Sequence, residues 1–219
     1  MIYDHVDIGT CDFDVADGVF STDKNYLLVE PMEEYLSKLP SGPNIQKENS
    51  ACSDKDTSLD IFYVPEEKIT LLNLPMWMKG CSKIGEPHKV VIDYLNNFNI
   101  DLSIIESKKV NMISFNNLIS KYKVDHIKNL KIDTEGHDHI ILKEAAKCIL
   151  SKKLSCDSIT LEYIIGRYGN TDEIDRIAFS LYKVFPNVKF HSENLTLTKW
   201  KKYYFTFTMV GYLEKSTMN

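Results

Sequence analysis

Short apolar runs rich in β-branched residues alternate along this chain with segments whose apolar residues recur at helical spacing. Such alternation is typical of an α/β fold, in which helices cover both faces of a largely parallel sheet. It predicts strands at residues 3–8, 26–30, 44–50, 59–64, 110–113, 128–133 and 158–163. It also predicts helices at residues 31–39, 114–123, 137–153 and 171–185, the second of them capped by Ser114.

Two segments depart from this alternation. Residues 187–213, NVKFHSENLTLTKWKKYYFTFTMVGYL, alternate in hydrophobicity and leave no room for a crossover helix, which predicts an antiparallel hairpin at the sheet edge. Residues 66–92 are rich in proline and glycine, and we expect an irregular loop there on the substrate side. With 219 residues, 43% of them hydrophobic, the chain is expected to form a single domain over residues 1–219.

The charge and cysteine content narrow the function classes. Lys and Arg number 26 against 31 Asp and Glu, giving a formal net charge of -5 without a basic stripe, so we expect no nucleic-acid partner. The five cysteines include no CxxC pair, which disfavours a disulfide framework or a zinc ribbon. We also expect no membrane span, because no apolar run approaches 18 residues. These features predict an intracellular, cytoplasmic protein, or one in the host cytoplasm if it is viral.

The first strand runs into an acidic corner, VDIGTCDFDVADG. Gly9 and Thr10 follow the strand, and a glycine at this turn of an α/β sheet lets the backbone approach a ligand closely. The surrounding carboxylates disfavour a pyrophosphate and suit a cationic nucleoside such as S-adenosylmethionine; they are Asp7, Asp12, Asp14 and Asp17. The alternative is an ordinary turn, since glycine and aspartate are common turn residues.

The next two strands end in residues suited to the rest of a nucleoside. Glu30 lies 21 residues after Gly9, where an acidic side chain in this fold class accepts hydrogen bonds from ribose hydroxyls, and Pro31 follows it. Ser53 and Asp54 are candidates for the adenine edge. The alternatives are that Glu30 begins the following helix and that residues 48–56 form a plain turn.

A second corner, NLKIDTEGHDHIILKEA, covers residues 129–145 and gathers functional side chains where a strand meets a helix. Here the sequence resembles the FkbM-type family of S-adenosylmethionine-dependent methyltransferases, whose pattern is similar to lKIDvEGhE followed by a strand that ends in Glu. The resemblance extends to VDIG, VEPMEEYLSKLP, NSACSD and GCSKIGEPH, and covers roughly residues 5–165. The matching residues in the second corner and the next strand are Asp133, Glu135, Gly136, His137, Asp138 and Glu162.

The resemblance implies a Rossmann-like class I methyltransferase fold, with a mostly parallel seven-stranded sheet and an antiparallel C-terminal hairpin. It implies S-adenosylmethionine as cofactor and transfer of a methyl group to a hydroxyl, most plausibly of a sugar or glycan. Two features depart from the family pattern. Phe13 stands about where members usually have another glycine, and the chain begins almost on the first strand, which indicates a minimal domain or one domain of a larger chain.

The second corner supplies the candidates for catalysis. His137 is the first choice for a general base because its ordinary pKa lies near neutrality, and Asp133 is the second choice as well as a cofactor-binding candidate. The alternative for His137 is a solvent-facing residue at the start of a helix. Candidate substrate-binding residues, from this corner and from the 66–92 loop, are Glu135, Asp138, Glu162, Trp77 and His88.

Three further alternatives stay open at this point. Oxygen ligands for Mg²⁺ are available from four carboxylates, Asp133, Glu135, Asp138 and Glu162, although the sequence alone does not predict a metal site. A tryptophan such as Trp77 is more often a buried anchor for a long loop. The whole chain, finally, is compatible with a noncatalytic nucleoside-binding or scaffolding module of the same fold.

Overall fold

A computed structural model describes residues 1–12, 20–164, 187–194 and 201–208, with side chains for residues 1–12 and 20–160. Its central sheet contains strands β1 (Ile2–Ile8), β2 (Tyr26–Val29), β3 (Ile45–Glu48), β8 (His126–Ile132), β9 (Ser155–Ile164), β10 (Asn187–Asn194) and β11 (Lys201–Thr208). Their spatial order is β10-β11-β9-β8-β1-β2-β3.

The pairing of these strands confirms the predicted fold class. β1 pairs in parallel with β2 and β8, β2 with β3, and β8 with β9. β11 is antiparallel to both β9 and β10, so the C-terminal hairpin closes one edge of the sheet, as the alternating pattern predicts. The central strands β1 and β2 are buried almost throughout, as strands covered on both faces should be.

A second, four-stranded sheet takes up two of the predicted strands. It contains β4 (Ala51–Ser53), β5 (Thr57–Tyr63), β6 (Lys83–Ile84) and β7 (Glu106–Ser114), in the order β4-β7-β5-β6. The prediction placed 59–64 and 110–113 in one parallel sheet, and that is wrong: β5 is antiparallel to β7 and β6. Much of β5 is exposed and β7 alternates in burial, which suits a sheet with one face in water rather than a strand buried on both faces.

Residues 66–92 are more regular than predicted. They contain helix α2 (Glu66–Leu71), a 3-10 helix (Met76–Gly80), strand β6 and the start of helix α3 (Lys89–Asn97). Apolar side chains from these elements form a small core of their own, among them Ile69, Met78, Val91 and Leu95. Proline and glycine therefore separate short elements here, and the buried apolar residues hold those elements together.

The remaining helices are α1 (Glu33–Leu36), α4 (Phe115–Lys121) and α5 (Asp138–Leu150). The predicted cap forms, since Ser114 Oγ accepts the backbone N–H of Asn117 at 3.3 Å. Ile141, Leu142 and Ala145 of α5 are buried in the largest core cluster, which they share with α4 and the central strands. The predicted helix 171–185 lies outside the described residues. Among the helices that the structure describes, none has the length and apolar character needed to cross a bilayer.

Candidate active site

The candidate site lies at the carboxyl edge of the central sheet, where the chain order reverses. The chain proceeds from β1 to β2 and β3 on one side, whereas β8 pairs with the other side of β1. Gly9, Glu30 and Asp133 directly follow β1, β2 and β8. In open α/β sheets, this reversal point is the usual place for a ligand.

A cleft with about 540 Å³ of empty space opens at this edge, between the central sheet and the second sheet. It brings together six of the residues proposed from the sequence: Gly9, Glu30, Pro31, Asp133, Glu135 and His137. Ile61 and Ile84 of the second sheet supply part of its apolar lining.

Gly9 brings two strand ends into direct backbone contact. Its φ of 85° lies in the left-handed region, and a Cβ added there would lie 1.9 Å from the backbone oxygen of Asp133. The Gly9 N–H donates to Val29 O at 2.9 Å, and the Asp133 N–H donates to Ile8 O at 2.9 Å. Only glycine satisfies both the conformation and the close approach.

Glu30 is a buried carboxylate held by the backbone on both sides. Oε2 accepts the N–H of Cys11 at 2.8 Å, and Oε1 accepts the N–H of Met32 at 2.9 Å. Burial raises the pKa of Glu30 to about 7, although both backbone hydrogen bonds lower it. Each oxygen has a second lone pair, so the side chain keeps acceptor capacity toward the cleft that it lines.

The first acidic corner is arranged differently from the prediction. Asp12 lies 2.5 Å from Lys79 Nζ and 3.2 Å from Lys38 Nζ, and both lysines also pair with Glu66. Lys79, only 5% exposed, lines the cleft. The hydrogen bonds from Lys79 and Lys38 hold the pKa of Asp12 below its usual range despite burial. The carboxylate therefore neutralises lysines instead of offering free negative charge to a ligand.

Asp7 and Thr10, also proposed from this corner, are not among the described residues that line the cleft. Asp7 is buried within β1, and Thr10 is buried with its hydroxyl donating to Cys11 O at 3.0 Å. Asp14 and Asp17, together with Phe13, lie outside the described residues. Direct cofactor contact by Asp7, Thr10 or Asp12 stays a prediction.

His137 is connected to the end of β4. Its Nδ1 lies 3.0 Å from Ser53 Oγ, and Ser53 Oγ lies 3.2 Å from Asp54 Oδ1. Ser53 is buried, whereas Asp54 is exposed. Burial lowers the pKa of His137 below its ordinary value, so the ring is neutral near pH 7. Ser53 thus contacts the proposed base and Asp54 contacts Ser53, and the predicted contact of both residues with adenine stays a prediction.

Glu135 is held by the segment that the sequence assigned to the substrate side. His88 is buried and caps α3, where its Nδ1 accepts the Val90 N–H at 3.2 Å. Its Nε2 lies 3.0 Å from Glu135 Oε2, and Cys81 completes a group of three donor atoms within 4.8 Å of one another. Because Nδ1 is an acceptor, the proton of neutral His88 is on Nε2 and is donated to Glu135. We therefore interpret the contact as a hydrogen bond rather than a metal site.

Asp138 has a structural role in its turn. Its Oδ1 accepts the N–H of Thr134 at 2.9 Å, and its Oδ2 accepts the N–H of Gly136 at 3.0 Å. The side chain is buried and does not line the cleft, which argues against its predicted contact with substrate. The Mg²⁺ alternative required this carboxylate to converge with Asp133 and Glu135, which line the cleft while Asp138 does not, so the described residues give that alternative no support.

Two predicted substrate residues are not part of the described cleft lining. Trp77 lies outside that lining, and the side chain of Glu162 is not among those described. Trp77 packs edge-to-face against Tyr94, with ring centroids 5.7 Å apart, which fits a loop anchor, but at 37% exposure it is not buried in the core. Glu162 lies in β9 immediately after Leu161, whose Cα pairs with Ile132. Its backbone is thus at the same sheet edge as Asp133, but its side chain is outside the described set.

The sequence reasoning missed two hydroxyls in the cleft. Ser82 and Thr134 both line it, and the structure gives Ser82 Oγ and Thr134 Oγ1 no hydrogen-bond partner among the described residues, although both oxygens are buried. Buried hydroxyls normally have partners, so this pair is suited to binding a polar ligand. Ser82 lies within GCSKIGEPH and Thr134 within KIDTEGHD, so both were in quoted motifs without being singled out.

Comparisons with known proteins support the fold. No family model and no curated protein matches the chain. The crystal structure of methyltransferase FkbM from Methylobacillus flagellatus KT has a TM-score of 0.51 and 12% identity, over 94% of this chain and 44% of that one. The chain thus spans less than half of the FkbM chain. The resemblance to FkbM-type methyltransferases seen in the sequence is confirmed at the level of the fold.

Two METTL16 structures are also similar in outline. The METTL16 MTase domain has a TM-score of 0.43 and 8% identity, over 95% of this chain and 61% of that one. The N-terminal domain of human METTL16 in complex with SAH has a TM-score of 0.37 and 10% identity, over 95% of this chain and 62% of that one.

Proposed function

We propose that this chain is an S-adenosylmethionine-dependent methyltransferase that uses the cleft at the carboxyl edge of its central sheet. The observation that carries the proposal is the pairing of Gly9 and Glu30 at neighbouring strand ends, both lining that cleft. In this fold class, the glycine turn admits the ligand and the acidic residue accepts ribose hydroxyls. The shared fold with the FkbM methyltransferase supports the same assignment.

The residues present fit such a cofactor. Glu30 has an unused lone pair on each oxygen for the ribose hydroxyls, beyond the two backbone bonds already made. The buried hydroxyls of Ser82 and Thr134 supply two further hydrogen-bonding groups. Gly9 places backbone instead of a side chain next to Asp133, which leaves room at the strand ends.

The charges of the cleft favour a cationic ligand over a phosphate. Its acidic lining residues are Glu30, Asp133 and Glu135. Among the described residues that line it, Lys79 is the only lysine or arginine, and its charge is already balanced by Asp12. Asp133 is likewise paired with Lys131, so the excess negative charge of the lining comes from Glu135 and from Glu30 in its ionised form, and it favours a sulfonium over a phosphate.

The chemistry needs a methyl donor and a group that removes a proton. Bound S-adenosylmethionine supplies an electrophilic methyl group. His137, neutral near pH 7 because burial lowers its pKa, would take the proton of an acceptor hydroxyl. Asp133, whose Oδ2 lies 3.6 Å from Lys131 Nζ, is suited to orienting the acceptor or the cofactor. General-base removal of this kind contributes typically about 10²- to 10⁴-fold to the rate.

We infer further that the acceptor is a neutral hydroxyl compound, with a sugar or glycan as the best candidate. Glu135 and Asp133 can accept hydrogen bonds from sugar hydroxyls, and His88 holds Glu135 in place for this role. The same carboxylates would oppose an RNA acceptor. The sugar assignment rests on this chemistry and on the resemblance seen in the sequence.

The test is transfer of a labelled methyl group from S-adenosylmethionine to parallel panels of oligosaccharides, small phenols, carboxylic acids and RNA. A methyl ether on a sugar would support the proposal in full, and label found only on RNA or carboxylates would overturn the acceptor assignment. The His137→Ala variant should lose turnover with little loss of cofactor affinity. His126→Ala is the matched control, because His126 begins β8, which ends at Ile132 before the cleft.

The noncatalytic alternative is separated by the same experiment. A protein that binds S-adenosylmethionine tightly but labels no acceptor in any panel would be a nucleoside-binding module. Retention of a neutral, cleft-lining His137 beside Asp133 favours the enzyme, since binding alone needs no proton acceptor.

A further inference from the structure

The hydrogen bonds between β4 and the start of α5 set the proton position on His137. Ser53 Oγ lies between two partners, His137 Nδ1 at 3.0 Å and Asp54 Oδ1 at 3.2 Å. A hydroxyl has one proton to donate, and Asp54 can only accept when ionised, so the Ser53 proton belongs to Asp54. Ser53 Oγ must then accept a hydrogen bond from His137 Nδ1–H.

We propose that Asp54 and Ser53 are positioning residues that hold His137 with its proton on Nδ1, which leaves Nε2 as the nitrogen that accepts a proton. The inference deepens the proposed function and rests on it for the identity of the reaction. In that reaction the O–H bond of the acceptor hydroxyl would break and an N–H bond would form at Nε2. The hydroxyl oxygen would bond to the methyl carbon as the bond from that carbon to the cofactor sulfur breaks, with the sulfur keeping the electron pair and leaving as the thioether. Neither Ser53 nor Asp54 touches the reacting atoms.

The surroundings of Ser53 and His137 favour this hydrogen-bonded arrangement over a histidine whose Nδ1 has no partner. Ser53 is 1% exposed, so water does not compete for its oxygen, whereas Asp54 is exposed and keeps its charge hydrated. The charged and titratable groups that act on His137 are Asp138 and Asp54, which favour its protonation, and His139 and Lys83, which oppose it. Burial outweighs all of them and keeps the free ring neutral. The imidazolium formed by proton transfer would be stabilised by Asp54 through Ser53.

Asp54→Ala is the informative variant, because Asp54 is exposed and its removal frees the Ser53 proton. Ser53 Oγ can then donate to Nδ1, which shifts the His137 proton toward Nε2. The matched control is Asp60→Ala, which removes the same charge from an exposed position on β5. Ser53→Ala removes the acceptor altogether and checks the result independently.

The first readout is the nitrogen NMR spectrum of histidine-labelled protein near pH 8, with the His137 signals assigned from the His137→Ala variant. Wild type and Asp60→Ala should show the Nδ1–H form, and Asp54→Ala should show a larger fraction of Nε2–H. An Nε2–H form in the wild type, or an unchanged tautomer in Asp54→Ala, would overturn the inference. This readout needs no methyl transfer, so its failure is distinguishable from failure of the proposed function.

The second readout is kinetic and uses whichever acceptor is labelled. Asp54→Ala and Ser53→Ala should lower kcat by about 2- to 10-fold, the population change that one ordinary hydrogen bond produces, with KM for the cofactor unchanged. Losing Asp54 also lowers the pKa of His137, so the acid limb of the kcat profile should move to lower pH. If kcat and the acid limb of its pH profile were unchanged in both variants, a positioning role would be contradicted. Purely structural damage would lower kcat without shifting the acid limb, so the shift distinguishes the two explanations.

Discussion

Glu30→Gln should remove a pH dependence from the stability of this fold. Burial raises the folded-state pKa of Glu30 from 4.5 to about 7, so the folded protein binds this proton more tightly than the unfolded chain does. The resulting stabilisation is fully present below pH 4.5 and is lost as the pH rises through 7. Glutamine keeps the size of the side chain but has no such proton to lose.

The size of the effect follows from the two pKa values. At about 1.36 kcal/mol per pKa unit, the free energy of unfolding of the wild type should fall by about 2.5 kcal/mol relative to that of Glu30→Gln between pH 5 and pH 8. At pH 5 the variant should be the less stable protein by about 1 to 3 kcal/mol, because its amide group faces one of the two backbone N–H donors now bound by Glu30. Near pH 8 the two effects should nearly cancel.

The assay is urea unfolding followed by fluorescence, at pH 5 and pH 8, with the free energy of unfolding extrapolated to water for each protein. Glu48→Gln is the matched control. Glu48 is also buried, but the hydrogen bond from Lys121 helps to hold its pKa below the ordinary value, so its difference from wild type should stay nearly constant over this range. A difference for Glu30→Gln that is equally constant would refute the reasoning about its burial.

Three further perturbations test the surrounding structure. Gly9→Ala should destabilise the fold by about 2 to 6 kcal/mol, because the alanine would be strained in the left-handed region and its Cβ would overlap the backbone of Asp133. Gly85→Ala has the same φ but nothing within 4 Å of the added Cβ, so it should show the strain alone; equal losses of stability in thermal unfolding would contradict this. Asp12→Asn should cost about 1.5 to 3 kcal/mol because Lys79 is buried, while Glu86→Gln, in an exposed pair, should cost under about 1 kcal/mol in the same melts. EDTA should leave the methyl-transfer rate unchanged, because Asp138, one of the carboxylates that a Mg²⁺ site would need, is buried and does not line the cleft; activity lost in EDTA and restored by Mg²⁺ would contradict that.

The features predictable from the sequence were those set by local pattern. Apolar period and turn residues place Gly9, Glu30 and Asp133 after their strands, and parallel pairing then brings them to one edge without further information. The cap of α4 and the C-terminal hairpin follow from equally short signals. The fold class was also predictable, because a strand buried on both faces shows a continuous apolar run in its own sequence, whatever its partners are.

The contacts that define the site in detail are long-range, and the sequence carried no local sign of them. Asp12 and Lys79 are 67 residues apart, and His88 and Glu135 are 47 residues apart. Each pair depends on how the 66–97 helices pack against the cleft. The second sheet was missed for the same reason: residues 57–63 and 106–114 have clear strand character, but which strands they pair with depends on tertiary packing.

The central claim is that the cleft binds S-adenosylmethionine with Glu30 on the ribose. Isothermal titration calorimetry of S-adenosylmethionine against the wild-type chain and Glu30→Ala tests it most directly, with circular dichroism to verify that the variant is folded. We expect saturable binding by the wild type and a loss of roughly 1.5 to 3 kcal/mol in the variant, which corresponds to about 10- to 150-fold weaker binding. Absence of binding by the wild type, or undiminished affinity in folded Glu30→Ala, would contradict the account.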